Sequence, residues 1–139
     1  MRYMVIVKST PDGYDVPPTR EMFEAMDRYN QSLRDAGVLL ALDGLAGPRE
    51  GARITFSNGK PHVTDGPFAE AKELVAGFWI LQVRDKEEAI EWAKRIPFSN
   101  GESVEIRRVS EASDFADVMS PEAIAREDAM RAELSRKSN

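Results

Sequence analysis

Ala52-Arg53-Ile54-Thr55-Phe56-Ser57-Asn58-Gly59-Lys60-Pro61-His62-Val63-Thr64-Asp65 reads as a β-hairpin, and it separates two stretches that each spell strand, helix, strand. Asn58-Gly59 is the pair that best tolerates the positive φ angles of a two-residue type I′ turn. Pairing Ser57 with Lys60 sets Phe56 opposite Pro61, Thr55 opposite His62 and Ile54 opposite Val63. That register collects Ile54, Phe56, Pro61 and Val63 on one face, predicted dry. Arg53, Thr55, Ser57, Lys60, His62 and Thr64 fall on the other, predicted wet. Pro61 has no backbone donor, so its strand belongs at an edge.

Upstream, Arg2 to Lys8 alternates Tyr3, Val5 and Val7 with Met4 and Ile6, so both faces are apolar and the strand is buried on two sides. The Pro-rich stretch from Thr10 to Pro18 is a loop, and Thr19 caps a helix whose apolar positions are Met22, Met26, Tyr29, Leu33 and Ala36. Gly37 stands where that helix ends, and Val38 to Leu42 is a second strand. Downstream, the nearly continuous apolar run Leu74 to Val83 suits a central strand. Asp85 with Glu88 resembles a capping box, Ala89, Trp92, Ala93 and Ile96 give the next helix its stripe, and Pro97 stops it. Val104 and Ile106 alternate with Glu105 and Arg107 in a last strand. The order β-α-β, hairpin, β-α-β predicts an α+β fold of the ferredoxin-like kind, with both helices on one face of the sheet. Met4, Ile6 and alternate residues of Leu74 to Leu81 would then leave an apolar second face, and a twofold homodimer is the economical way to cover it.

The chain has 139 residues, 42% hydrophobic and 31% charged, which fits one compact domain over residues 1–109 and a polar extension over 110–139. That extension carries seven acidic and four basic side chains, and Ser120-Pro121-Glu122 starts a short helix in it. No Cys and a single His exclude disulfides, thiolate metal sites and Cys nucleophiles, so no metal and no cofactor are expected. A net charge of -5 argues against nucleic acid as a partner. The Leu74 to Leu81 run is far short of the ~20 residues a membrane helix needs, and the N-terminus lacks a basic-then-apolar leader. A cytoplasmic protein without membrane contact is the expectation.

Chemistry concentrates in Asp65-Gly66-Pro67-Phe68-Ala69-Glu70-Ala71-Lys72-Glu73. Gly66 lets the chain bend and Pro67 fixes φ, so the Asp65 carboxylate is held at one place, where it can serve as a general base or ligand anchor. Glu70 and Lys72 lie close by, and Lys72 would act as an electrostatic stabiliser. The competing structural account has Asp65 capping its own turn, Phe68 anchoring it in the core, and the charges solvated. His62 has the opposite strand parity from Asp65, so a dyad between them would need a bulge. Met22, Met26 and Tyr29 could line a pocket, but at helical spacing they read as core, as do Trp79 and Trp92.

The run Val63 to Glu73 resembles the signature of the DGPF (DGPFAETKE) family, a branch of the YCII-related proteins, with Ala71 standing where the signature has Thr. The resemblance extends over residues 1 to about 109: Met1 to Val7, Ala36-Gly37-Val38, Asp43-Gly44-Leu45, Gly77-Phe78-Trp79 and Ala89-Ile90-Glu91-Trp92-Ala93 are similar to the family's strands and helices. It implies a ferredoxin-like fold of the dimeric α/β barrel type and a homodimer. A His-Asp pair in a cleft underlies the enzymatic role suggested for the YCII branch. This chain has no His in its first helix and reads Arg95-Ile96-Pro97 where that branch has Asp-Pro, so the dyad does not carry over. Two functions follow. The dimer binds a small polar metabolite in a cleft formed by Asp65, Gly66, Pro67, Phe68, Glu70 and Lys72, with acid-base chemistry at Asp65 as its one catalytic residue. Alternatively it is a non-catalytic accessory protein acting through protein contacts, in keeping with the association of DGPF proteins with sigma factors.

Overall fold

The computed structural model describes residues 1–10, 12–13, 16–68, 72–99 and 101–137, and the chain divides into two compact units, Met1–Arg108 and Val109–Asn139. In the first, β1 (Arg2–Ser9), α1 (Arg20–Asp35), β2 (Leu39–Gly44), β3 (Ala52–Ser57), β4 (Lys60–Asp65), β5 (Leu74–Gln82), α2 (Lys86–Ala93) and β6 (Ser103–Arg108) follow in the predicted order. Four strands form an antiparallel sheet in the order β2-β5-β1-β6, while β3 and β4 form a separate two-stranded sheet. The molecule is therefore a mixed α+β protein. Its larger sheet is open, with β2 and β6 at the edges, and among the described residues no barrel closes.

The apolar core explains which strand face the helices occupy. Tyr3 and Val5 of β1 and Trp79 and Leu81 of β5 are buried together with Tyr29 and Leu33 of α1 and Ala89 of α2. Both helices thus pack on one face: Ala89, Trp92, Ala93 and Ile96 turn inward as read, but of the α1 stripe only Tyr29, Leu33 and in part Met26 do, while Met22 and Ala36, towards the two ends of the helix, are exposed. On the opposite face Met4 and Ile6 lie beside Ile80 and Phe78 and are half-buried.

Local chemistry sets the element ends. Thr19 Oγ1 accepts from the Met22 backbone N–H at 3.2 Å, and Gly37, at φ +73°, follows the last turn of α1. Asp85 Oδ1 accepts from the Glu88 N–H at 2.9 Å, and Glu88 Oε1 returns the favour to the Arg84 N–H at 3.1 Å, one residue earlier than the usual box.

The hairpin has the predicted register throughout, Ser57↔Lys60 to Ala52↔Asp65, with Asn58 and Gly59 at φ +53° and +73°. Its faces differ from the expectation. The apolar face is not dry: Ile54, Phe56 and Val63 are 55%, 76% and 67% exposed. The reason is topological, since β3 and β4 pair only with each other and bring no second layer of their own.

In the second unit, Ser120 Oγ accepts from the Ala123 N–H at 3.1 Å and opens α3 (Pro121–Lys137). At 17 residues this helix is longer than the short one expected, and Met130 and Leu134 of its thin stripe are exposed.

Candidate functional site

Asp65 ends β4 opposite Ala52, on the same hairpin face as Ile54 and Val63, and its side chain is exposed. The following Gly66–Pro67 peptide is cis. Gly66 donates its N–H to the Gly51 carbonyl at 3.0 Å, and a Cβ there would run into the Pro48 carbonyl, so the turn closes against the short helical turn Pro48–Glu50 only because residue 66 is glycine. Phe68 does not anchor in the core. It is half-buried with the Arg53 guanidinium 4.2 Å from its ring centre, a cation–π contact that ties the turn to the polar hairpin face.

The structure brings Asp65, Gly66, Pro67 and Phe68 together as one exposed corner. Glu70, Ala69 and Ala71 lie outside the described residues. Lys72 is exposed, and its neighbour Glu73 meets Lys8 at 3.9 Å. His62 is opposite Thr55 on the other face from Asp65, as the strand parity required, and no dyad forms between them. Among the described residues no three His, Asp or Glu side chains converge as a metal would require.

A cavity of about 230 Å³ opens elsewhere in the same unit, between α1 and the β2–β5 half of the sheet. Met26, Leu42, Phe98 and Val7 make its wall apolar, while Asn30 and Asp43 add polar groups. Trp79 is held in place there by two contacts: its Nε1 donates to Asn30 Oδ1 at 2.8 Å, and its ring meets Tyr29 edge-on at 5.7 Å and 86°. Tyr29 in turn donates its hydroxyl to the Trp92 carbonyl at 2.9 Å, and burial pushes its phenol up to about 12, against a smaller opposing pull from Arg95. Met26 and Trp79, read from the sequence as plain core, both line this cavity. Asn30 and Asp43 carried no sequence signal as site residues. Asn30 is a polar position interrupting the apolar stripe of α1 beside Tyr29, and that interruption was the one available hint.

A family model of the YCII-related domain matches residues 1–113, which takes in the whole β-α-β, hairpin, β-α-β unit. The chain belongs to the YCII-related family. A relative in Rhizobium meliloti (strain 1021), the uncharacterized protein R00369, is 33% identical over 66 residues. That match spans 48% of this chain and 53% of the relative, so the chain covers about half the relative's length. Within the family frame, the cavity lies between the first helix and the sheet, whereas the Asp65 corner lies at the base of the hairpin. No helix among the described residues is long and apolar enough to cross a membrane.

Proposed function

We propose that this YCII-related protein is a cytoplasmic small-molecule-binding protein of the DGPF branch, working as a homodimer of ferredoxin-like protomers, and that its ligand occupies the cavity beside Asn30 and Trp79. The cavity itself carries the reading. It is concave, mostly apolar and furnished with a few fixed polar groups, which is the usual make-up of a ligand site. Its volume of about 230 Å³ falls below the ~300 Å³ at which drug-sized pockets begin, so the ligand is a single-ring metabolite or smaller. A metabolite library screened by thermal shift tests this, because a compound bound only by the folded state raises Tm. Met26→Trp fills the space, so hits should stabilise the wild type and leave Met26→Trp unmoved. Hits that stabilise both equally bind elsewhere and overturn the reading.

A second reading rests on the exposed corner at Asp65. There a carboxylate stands at the base of an exposed apolar hairpin face, followed along the chain by Gly66, Pro67 and Phe68. Asp65 could act on a polar ligand as a general base, with Glu70 and Lys72 completing that site. The same exposure equally suits a contact with another protein, as an accessory or sigma-factor-linked regulator would make.

A further inference from the structure

Within the cavity, the bond from Trp79 Nε1 to Asn30 Oδ1 at 2.8 Å fixes more than a side-chain position. An indole N–H can only donate, so the amide oxygen must face Trp79 and the amide NH₂ must take the other branch. The edge-on packing of Tyr29 against Trp79 at 5.7 Å holds the indole still, which holds the amide still. Among the described residues no acceptor receives the two N–H bonds of that NH₂. Asn30 is half-buried and forms part of the cavity wall, so these are donors it has left to offer a ligand. Most of the remaining wall, from Val7, Met26, Leu42 and Phe98, has no side-chain hydrogen-bonding group. Among the described residues lining the cavity there is no Lys, Arg or His, so an anion would lose its water there without gaining a cation.

We propose that the cavity takes a small, neutral, mainly apolar ring compound carrying one hydrogen-bond acceptor, a ketone or ester carbonyl, and that Asn30 Nδ2 recognises that acceptor. The proposal rests on the reading of the cavity as the ligand site and names the chemistry of its ligand. A site built around a fixed donor rejects an analogue of equal shape that lacks the acceptor, because the donor then loses its water and gains nothing.

Acetophenone and α-methylstyrene are a matched pair for the test: they have the same heavy-atom skeleton, and only the first has a carbonyl oxygen. Each is titrated into the full chain while the Trp79 indole N–H and the Asn30 side-chain NH₂ are followed by nitrogen-15 NMR. Both probes should move the Trp79 signal, and acetophenone should bind about tenfold more tightly and shift the Asn30 NH₂ signal as well. Asn30→Asp keeps an acceptor for the indole but has no N–H to give, so it should fold, retain the Trp79 bond and lose the preference. Equal binding of the two probes to the wild type, or a preference that survives in Asn30→Asp, overturns the role of Asn30 while leaving the cavity a ligand site. If neither probe moves Trp79 or its neighbours, the cavity reading falls and this inference falls with it.

Discussion

The phenol of Tyr29 joins α1 to α2 through the Trp92 carbonyl and braces Trp79 through its ring, and its protonation is coupled to both. With the folded value at about 12 and the unfolded value near 10, the folded state holds the proton more tightly. Below about pH 10 both states are protonated and the contribution is complete; between about pH 10 and 12 the unfolded state sheds its proton first, and stability is lost. Urea unfolding across that range should show a steeper fall for the wild type than for Tyr29→Phe, which is also less stable at neutral pH by about 1 kcal/mol for the missing hydrogen bond. Parallel curves would remove the coupling. Asp65 is the contrasting residue, exposed at the end of its strand. If its role is to cap the turn, Asp65→Ala should cost about 0.5–2 kcal/mol and Asp65→Asn almost nothing. If the charge is held for function, as the second reading has it, Asp65→Asn should keep the wild-type Tm and lose whatever binds at this corner, while ligands of the Asn30 cavity bind as before. We expect the second pattern; a partner or polar ligand docked at the corner and bound equally well by wild type and Asp65→Asn would contradict it.

At the scale of the element, the hairpin is where local rules and tertiary context part company. Its turn and register were legible in the sequence because Asn58-Gly59 fixes both from adjacent residues, and the caps at Thr19, Asp85 and Ser120 were legible for the same reason. The solvent exposure of its apolar face was not, because alternation of side chains shows that a face is apolar and says nothing of whether another layer reaches it. Nor was the Asn30–Trp79 pair, whose partners are 49 residues apart and meet only once the sheet order has placed β5 beneath α1. A two-stranded sheet exposed on both faces is marginal by itself, so its opening should be local. Hydrogen exchange should therefore run faster at Thr55, His62 and Val63 than at Val5 and Trp79 in the larger sheet. Gly66→Ala drives a methyl against the Pro48 carbonyl and breaks the bond to Gly51 at the hairpin base. It should speed exchange in the hairpin by about tenfold or more while protection at Val5 stays within error. Equal acceleration in both sheets would mean that hairpin and core open as one unit.

For the whole molecule the open question is what covers apolar surface that one chain leaves in water. Ile54, Phe56 and Val63 are each more than half exposed, and with side chains of their size they present on the order of 300 Å² of apolar area per chain. Two such faces meeting about a twofold axis would bury roughly 600 Å², well short of the ~1,200 Å² at which stable interfaces begin. In the homodimer proposed above, the hairpin would supply part of the interface and the half-buried sheet face around Ile6, Phe78 and Ile80 the remainder. This division gives the two surfaces different mutational signatures. Phe56→Asp places a charge on an element outside the core, so circular dichroism should be unchanged while the dimer weakens by about tenfold or more, and Tm should fall only by what the lost association costs. Ile6→Asp puts an unpaired charge in the middle of the larger sheet, between Phe78 and Glu105 in the ladders, and should cost folding and assembly together. Light scattering at micromolar concentration should give about twice the 15.5 kDa chain mass for the wild type, moving toward the single-chain mass for Phe56→Asp on dilution. A wild type that scatters as one chain would refute the homodimer. A Phe56→Asp protein that dimerises as tightly as wild type would take the hairpin out of the interface and leave the sheet face to account for all of it.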